Sequence, residues 1–138
     1  MSAERGPVPS TLVSIRPPFV DERGAIHNLL DLPISSIAVI TSVAGAVRGN
    51  HYHKTDDHYC WLQSGEMRYA HRPVGSREAL EVWTIKAGQM FYTPPHYEHV
   101  MLFTAASVMF AFARHPRDMV NYEADTVRIP TLALAPIG

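Results

Sequence analysis

The chain contains a single cysteine, Cys60, so an internal disulfide framework is excluded and a lone thiol suits a reducing compartment. Charge of one sign is equally scarce. Twelve Lys and Arg are mixed with thirteen Asp and Glu, giving a net charge of −1 with no basic run or stripe, which leaves nucleic-acid binding without electrostatic support. No stretch approaches the roughly 18 apolar residues of a membrane span. The N-terminal MSAERGPVPSTLVS has no basic segment followed by an apolar one, so no secretory signal is read there. The expectation is a cytoplasmic, soluble protein. Capped runs of helical periodicity are missing too; Ser76 to Leu80 allows one helical turn at most.

What is present is a chain of 138 residues, 46 % hydrophobic, enough for one domain (1–138) with a real core. Pro7, Pro9, Pro17 and Pro18 make residues 1–18 an extended arm, because proline lacks the N–H a helix or central strand needs. Short apolar runs then follow at roughly 8–12-residue spacing with turn residues between them, as in a sandwich or barrel. They include Ile34 to Thr41, Tyr59 to Gln63, Met67 to His71, Leu80 to Ile85, Met90 to Thr93, His99 to Phe103 and Val108 to Ala113. From Arg114 the tail (114–138) becomes more polar and ends in Pro130 and Pro136, either wrapping a neighbouring subunit or lying loose. The fold class is all-β.

Histidine carries the chemical signal. Six of eight fall between His51 and His99. In a strand, His51 and His53 point the same way and Tyr52 the opposite way, so two imidazoles one pleat apart can share a metal. Lys54-Thr55-Asp56-Asp57 is polar enough to reverse the chain, and His58 then opens the next strand with Cys60 and Leu62 on its side. In the second segment Gly88 permits a tight turn, Pro94-Pro95 fixes a corner, and His99 opens a further strand. Imidazole nitrogen is a common ligand for divalent transition metals, and Zn, Fe, Ni, Mn and Cu are not distinguished by it.

The two segments resemble the paired motifs of the cupin superfamily. Against G-x5-H-x-H-x3/4-E-x6-G, the chain has His51-x-His53-x4-His58-x6-Gly65; against G-x5-P-x-G-x2-H-x3-N, it has Gly88-x5-Pro94-x-His96-x2-His99-x3-Phe103. The resemblance runs from about Asp21 to Ala113 and implies a double-stranded β-helix, the jelly-roll barrel, holding one divalent metal through His51, His53, His58 and His99. The family's glutamate is His58 here, its glycine His96 and its asparagine Phe103. Asp57 is the alternative third ligand if the loop has three residues, but only His58 keeps six residues before Gly65. A finer likeness lies in Val47-Arg48-Gly49-Asn50-His51-Tyr52-His53-Lys54, similar to the R-G-x-H-x-H-K segment of cupins acting on sugar nucleotides in polysaccharide biosynthesis. Asn121-Tyr122-Glu123-Ala124-Asp125-Thr126 looks like the tail that follows those barrels.

Three functions fit these residues. The first is an isomerase or epimerase of a nucleotide-linked keto-sugar, with His96 as base, Tyr92 as acid, Arg48 gripping phosphate or carboxylate, and Tyr69, Met90, Met101 and Phe103 lining the substrate space. The second is a metal-dependent dioxygenase for a small organic substrate. The third is a non-catalytic small-molecule-binding module. His27, His71 and His115 carry no spacing signal and are expected to be ordinary surface or edge residues. A homodimer is expected, with the 1–18 arm offering an edge strand to the partner.

Overall fold

The computed structural model describes residues 9–116 and 118–129. Its elements are β1 (Thr11–Val13), β2 (Phe19–Asp21), β3 (Gly24–Ile26), β4 (Ser36–Ser42), β5 (Val47–His53), β6 (His58–Ser64), β7 (Glu66–Pro73), β8 (Glu81–Lys86), β9 (Met90–Thr93), β10 (Tyr97–Phe103), β11 (Ser107–Ala113), α1 (Met119–Asp125) and β12 (Thr126–Arg128). Two five-stranded antiparallel sheets form, ordered β1-β9-β6-β11-β4 and β12-β5-β10-β7-β8. From β4 to β11 the chain crosses repeatedly between them, the winding of a jelly roll. β2 and β3 make a separate hairpin.

Alternation decides which face each strand buries. In β6, His58, Cys60 and Leu62 are buried while Tyr59 and Trp61 are only half-buried, as the period of two requires. Leu62, Met67, Ile85, Phe91 and Phe103 meet between the sheets with at most 1 % of their surface exposed, each stabilising the fold by roughly 1.5–3 kcal/mol. Gly65 joins β6 to β7 at φ 95°, and a Cβ there would overlap Ser107, so only glycine serves.

Several expectations need correcting. The C-terminal tail is neither loose nor free of helix as far as residue 129. Asp118 caps α1 by accepting from the Asn121 N–H at 3.1 Å, and β12 then pairs with β5 of the same chain. The prolines at 130 and 136 lie outside the described residues. In the N-terminal arm, β1 forms the edge of the first sheet, beside β9. His27 and His115 are exposed as expected, but His71 is 2 % exposed. It sits against Tyr69 and Trp83, and neither ring nitrogen has a hydrogen-bond partner. Burial holds His71 neutral, lowering its pKa to about 4 against a weaker pull upward from Glu81. Its neighbour Arg72 suggested a turn; the strand continues to Pro73.

Candidate functional site

Three histidines converge at one end of the barrel. His51 and His53 come from β5 and His99 from β10, which pairs with β5 so that His99 faces His51. One ligand nitrogen from each lies within 4.8 Å of the others. Ring centroids are 4.8 Å apart for His51–His53 and for His51–His99. The expected alternation of β5 brings these two side chains to one face.

The same strand hides an irregularity. Between His99 and Val100 the register with β5 shifts, leaving Asn50 as an extra residue at φ 59° after Gly49 at φ 97°. The bulge changes the parity of the strand, so Arg48, three residues before His51, faces the same interior. Strict alternation would have turned it out. Arg48 is held there by donating from Nε to Ser42 Oγ and from Nη2 to the Thr41 carbonyl, both at 3.0 Å.

Electrostatics sorts the imidazoles. His53 is 2 % exposed, and its Nδ1 lies 3.3 Å from Asp125 Oδ2. Its Nε2 is buried without a partner. Burial, then the charges of His58 and His51, bring the pKa of His53 down to about 3 against the opposing pull of Asp125 and Asp56. Asp125 stays below the usual carboxylate range: burial raises it, but the Thr55 hydroxyl and N–H, the Asp56 N–H and His53 outweigh that. With an ionised acceptor at Nδ1, the His53 proton resides there and Nε2 keeps its lone pair. His99 is pushed well below its ordinary value, chiefly by burial and then by His51, and its Nδ1 lies 3.1 Å from the Tyr97 carbonyl. A carbonyl can only accept, so Nε2 of His99 also keeps its lone pair. Two Nε2 lone pairs oriented by partners on the far side of the ring are the donor set a divalent transition metal requires. The chemistry fits an ion held by His51, His53 and His99.

His58, expected as a fourth ligand, is not one of the three clustered histidines. Its ring stands 4.6 Å from His53, but its Nε2 lies 3.2 Å from Asp56 Oδ2, and both residues are buried. Asp56 Oδ1 accepts the N–H groups of Asp57 (2.9 Å) and His115 (3.1 Å). Burial raises the Asp56 pKa, yet the His58 hydrogen bond and charge, with Asp57 and His115, hold it below the ordinary value. An ionised Asp56 makes Nε2 the donor, leaving the basic lone pair of His58 on Nδ1. Asp57 is not in the cluster either; its Oδ2 accepts the Tyr92 hydroxyl at 2.6 Å.

The site opens into a cavity of about 300 Å³, walled by Arg48, His51, His58, His99, Met101 and Tyr122 among others. Tyr122 reaches it from α1, its ring 5.6 Å from that of His53. The expected substrate-space residues divide. Arg48 and Met101 line the cavity. Tyr69 is fully buried, bonded to Ser10 Oγ (2.9 Å) and Thr93 Oγ1 (2.7 Å), with burial pushing its pKa up. Met90 and Phe103 are fully buried and do not line it.

Neither expected acid–base residue faces the cavity. Tyr92 pairs with Tyr59 in register, and their rings are 4.7 Å apart on the outward side of the first sheet. Burial, followed by its bond to Asp57, raises the Tyr92 pKa. His96 is exposed at φ 60°, with its ring 6.0 Å from that of Tyr52 on the outside of β5. Its backbone explains why the motif has glycine at this position: the left-handed conformation suits a residue without Cβ. The spacing located the corner and misassigned the side chain.

Asp56, Tyr122 and Asp125 are the site residues that the sequence reading missed. Asp56 sat in a segment read only as a polar turn, and the other two in a tail read only as a likeness. Asp125 and Tyr122 meet His53 because α1 and β12 fold back, which no local pattern announces, while Asp56 meets His58 across the short β5–β6 connection.

No protein-family model and no curated protein matches the sequence. Solved structures do match. The sugar 3,4-ketoisomerase QdtA of Thermoanaerobacterium thermosaccharolyticum, in complex with TDP, superposes with a TM-score of 0.73 at 19 % identity over 87 % of this chain and 88 % of that one. The TDP-quinovose 3,4-ketoisomerase WlaRB of Campylobacter jejuni gives 0.74 at 17 % identity, covering 87 % and 92 %. The dTDP-4-dehydrorhamnose 3,5-epimerase of Sulfolobus tokodaii gives 0.68 at 17 % identity, covering 88 % and 82 %. The chain thus has the cupin jelly-roll fold in the form shared with ketoisomerases and epimerases of nucleotide-linked sugars.

Proposed function

We propose that this protein isomerises or epimerises a nucleotide-linked keto-sugar, with His58 as the general base. The observation that carries this is a buried imidazole backed by a carboxylate, His58–Asp56, in the wall of a cavity that also holds Arg48. The structural neighbours named above act on nucleotide-linked sugars, which supports the same reading.

Moving a carbonyl along a sugar, or inverting the carbon beside it, starts with removal of a proton next to the carbonyl. His58 Nδ1 takes that proton, and Asp56 holds the resulting imidazolium in place. The developing enolate oxygen needs a proton or a positive field. Tyr122, on the same cavity wall, donates the proton to the enediolate oxygen, or returns one to carbon from the other face. Arg48, locked by Ser42 and Thr41, binds the diphosphate through its planar fork and so fixes which sugar carbon meets His58. A divalent transition metal on His51, His53 and His99 belongs to this proposal; when bound it supplies Lewis-acid polarisation of the substrate carbonyl.

The test is proton exchange in D₂O with a nucleoside-diphosphate-linked 4-keto-6-deoxy sugar, followed by NMR. Deuterium incorporation beside the carbonyl, lost in His58→Ala, supports the assignment. Absence of both exchange and turnover across thymidine- and uridine-linked substrates sinks it. The metal is tested separately by elemental analysis and by repeating the exchange after chelation.

A second reading has its own observation. Three imidazoles leave open positions on an ion, the arrangement used by metal-dependent dioxygenases. O₂ uptake by iron-loaded protein with small diketone or phenol substrates would favour it. Arg48 is the residue this reading leaves without a role.

A further inference from the structure

Moving a carbonyl along a sugar changes two oxygens. One, the former carbonyl, takes a proton from Tyr122. The other, the hydroxyl beside it, must lose its proton to become the new carbonyl. His58 already holds the proton from carbon, so this second proton needs another acceptor.

The cavity wall offers one beside the base. Thr93, 4 % exposed at the end of β9, lies directly opposite His58 in the register of β6 with β9. Residues so paired point to the same face with Cβ atoms about 5 Å apart, and both line the cavity. Behind Thr93 stands a file of buried hydroxyls. Its Oγ1 lies 2.7 Å from the phenol oxygen of Tyr69, which reaches across from β7 in the second sheet. That oxygen lies 2.9 Å from Ser10 Oγ. Ser10, 8 % exposed, directly precedes β1, the edge strand of the first sheet. The file therefore runs from the cavity to the rim of the barrel.

Three hydroxyls in a row can pass a proton along, because each oxygen donates one hydrogen bond and accepts others. Burial pushes the Tyr69 pKa up, so the phenol gives its proton to one neighbour only as it takes one from the other. Packing alone does not call for the arrangement, since replacing hydrogen-bonded partners by apolar groups of the same shape is nearly neutral.

We infer that Thr93, Tyr69 and Ser10 form a proton relay serving the second oxygen of the substrate, an inference that rests on the isomerase reading of the site. The O–H bond of the neighbouring hydroxyl breaks, and its electron pair forms the new carbonyl. The electrons of the enediol double bond take the proton back from His58 at the other carbon. The hydroxyl proton passes to Thr93 Oγ1 as Thr93 gives its own to Tyr69, Tyr69 to Ser10, and Ser10 to water at the rim. One proton thus leaves for the one Tyr122 delivered, and Tyr122, half-buried, regains it from solvent. Thr93 meets the substrate; Tyr69 and Ser10 act through it.

The test separates enolisation from carbonyl migration, with the nucleoside-diphosphate-linked 4-keto-6-deoxy sugar in D₂O followed by NMR. Thr93→Val should slow migration at least about 10-fold relative to deuterium exchange beside the carbonyl, and Thr93→Ser should restore it. Ser10→Ala, at the far end of the file, should also slow migration relative to exchange. Parallel loss of exchange and migration in Thr93→Val, or full migration in Ser10→Ala, overturns the relay. So does an unmodified chain that exchanges the proton without moving the carbonyl. No exchange at all in the unmodified chain instead sinks the proton abstraction by His58 on which the relay depends.

Discussion

His58 Nε2 lies 3.2 Å from Asp56 Oδ2 inside the barrel, and two backbone N–H groups hold that carboxylate from behind. The pair has the form of a base and its orienting anion. Asp56→Asn should retain the fold but misplace the proton on His58. The expected loss in kcat is about 10²–10⁴-fold with little change in KM. Steady-state kinetics with NMR detection of deuterium wash-in checks this; an unchanged kcat would remove His58 from the chemistry.

Arg48 reaches the cavity through the Gly49-Asn50 bulge. A Cβ at Gly49 would approach the His99 carbonyl oxygen to 2.9 Å, and the residue sits at φ 97°. Gly49→Ala therefore combines a backbone clash with a conformational penalty, and destabilisation of about 1–3 kcal/mol is expected. Chemical denaturation measures it. Arg48→Lys should instead leave stability unaltered and raise KM about 10-fold, since a point charge replaces a planar fork.

Tyr122 is the phenol that lines the cavity, whereas Tyr92 is committed to Asp57 on the outside. Tyr122→Phe should lower kcat at least 10²-fold. Tyr92→Phe should leave kcat unchanged. Equal effects from both substitutions, in the same turnover assay, would contradict this division.

The metal proposal predicts stoichiometric Zn, Fe, Ni, Mn or Cu in purified protein. Its content should fall below detection in His53→Ala and stay near the original level in His58→Ala. Inductively coupled plasma mass spectrometry decides, independently of activity.

His71 makes stability depend on pH. Its folded pKa, about 4, lies below the ordinary value of 6.5, so the unfolded chain binds the proton more readily. Stability is complete above pH 6.5 and declines as pH falls toward 4, with this one proton contributing a slope of up to about 1.4 kcal/mol per pH unit. His71→Phe removes two unpartnered nitrogens and should flatten the decline. Thermal unfolding from pH 7.5 to 4 tests the sign.

The strand series, the inward side of β6, the shared face of His51 and His53, and the approach of His99 to them were legible from the residues alone. Those properties follow from alternation along a strand and from motif spacing, both local. The tertiary structure alone decided the rest. A single extra residue in β5 reversed the facing of Arg48, a left-handed corner turned His96 outward, and burial neutralised His71. The returning C-terminal segment carried Asp125 and Tyr122 to the site. Each of these depends on which distant backbone or carboxylate lies across a gap, and periodicity holds no record of that.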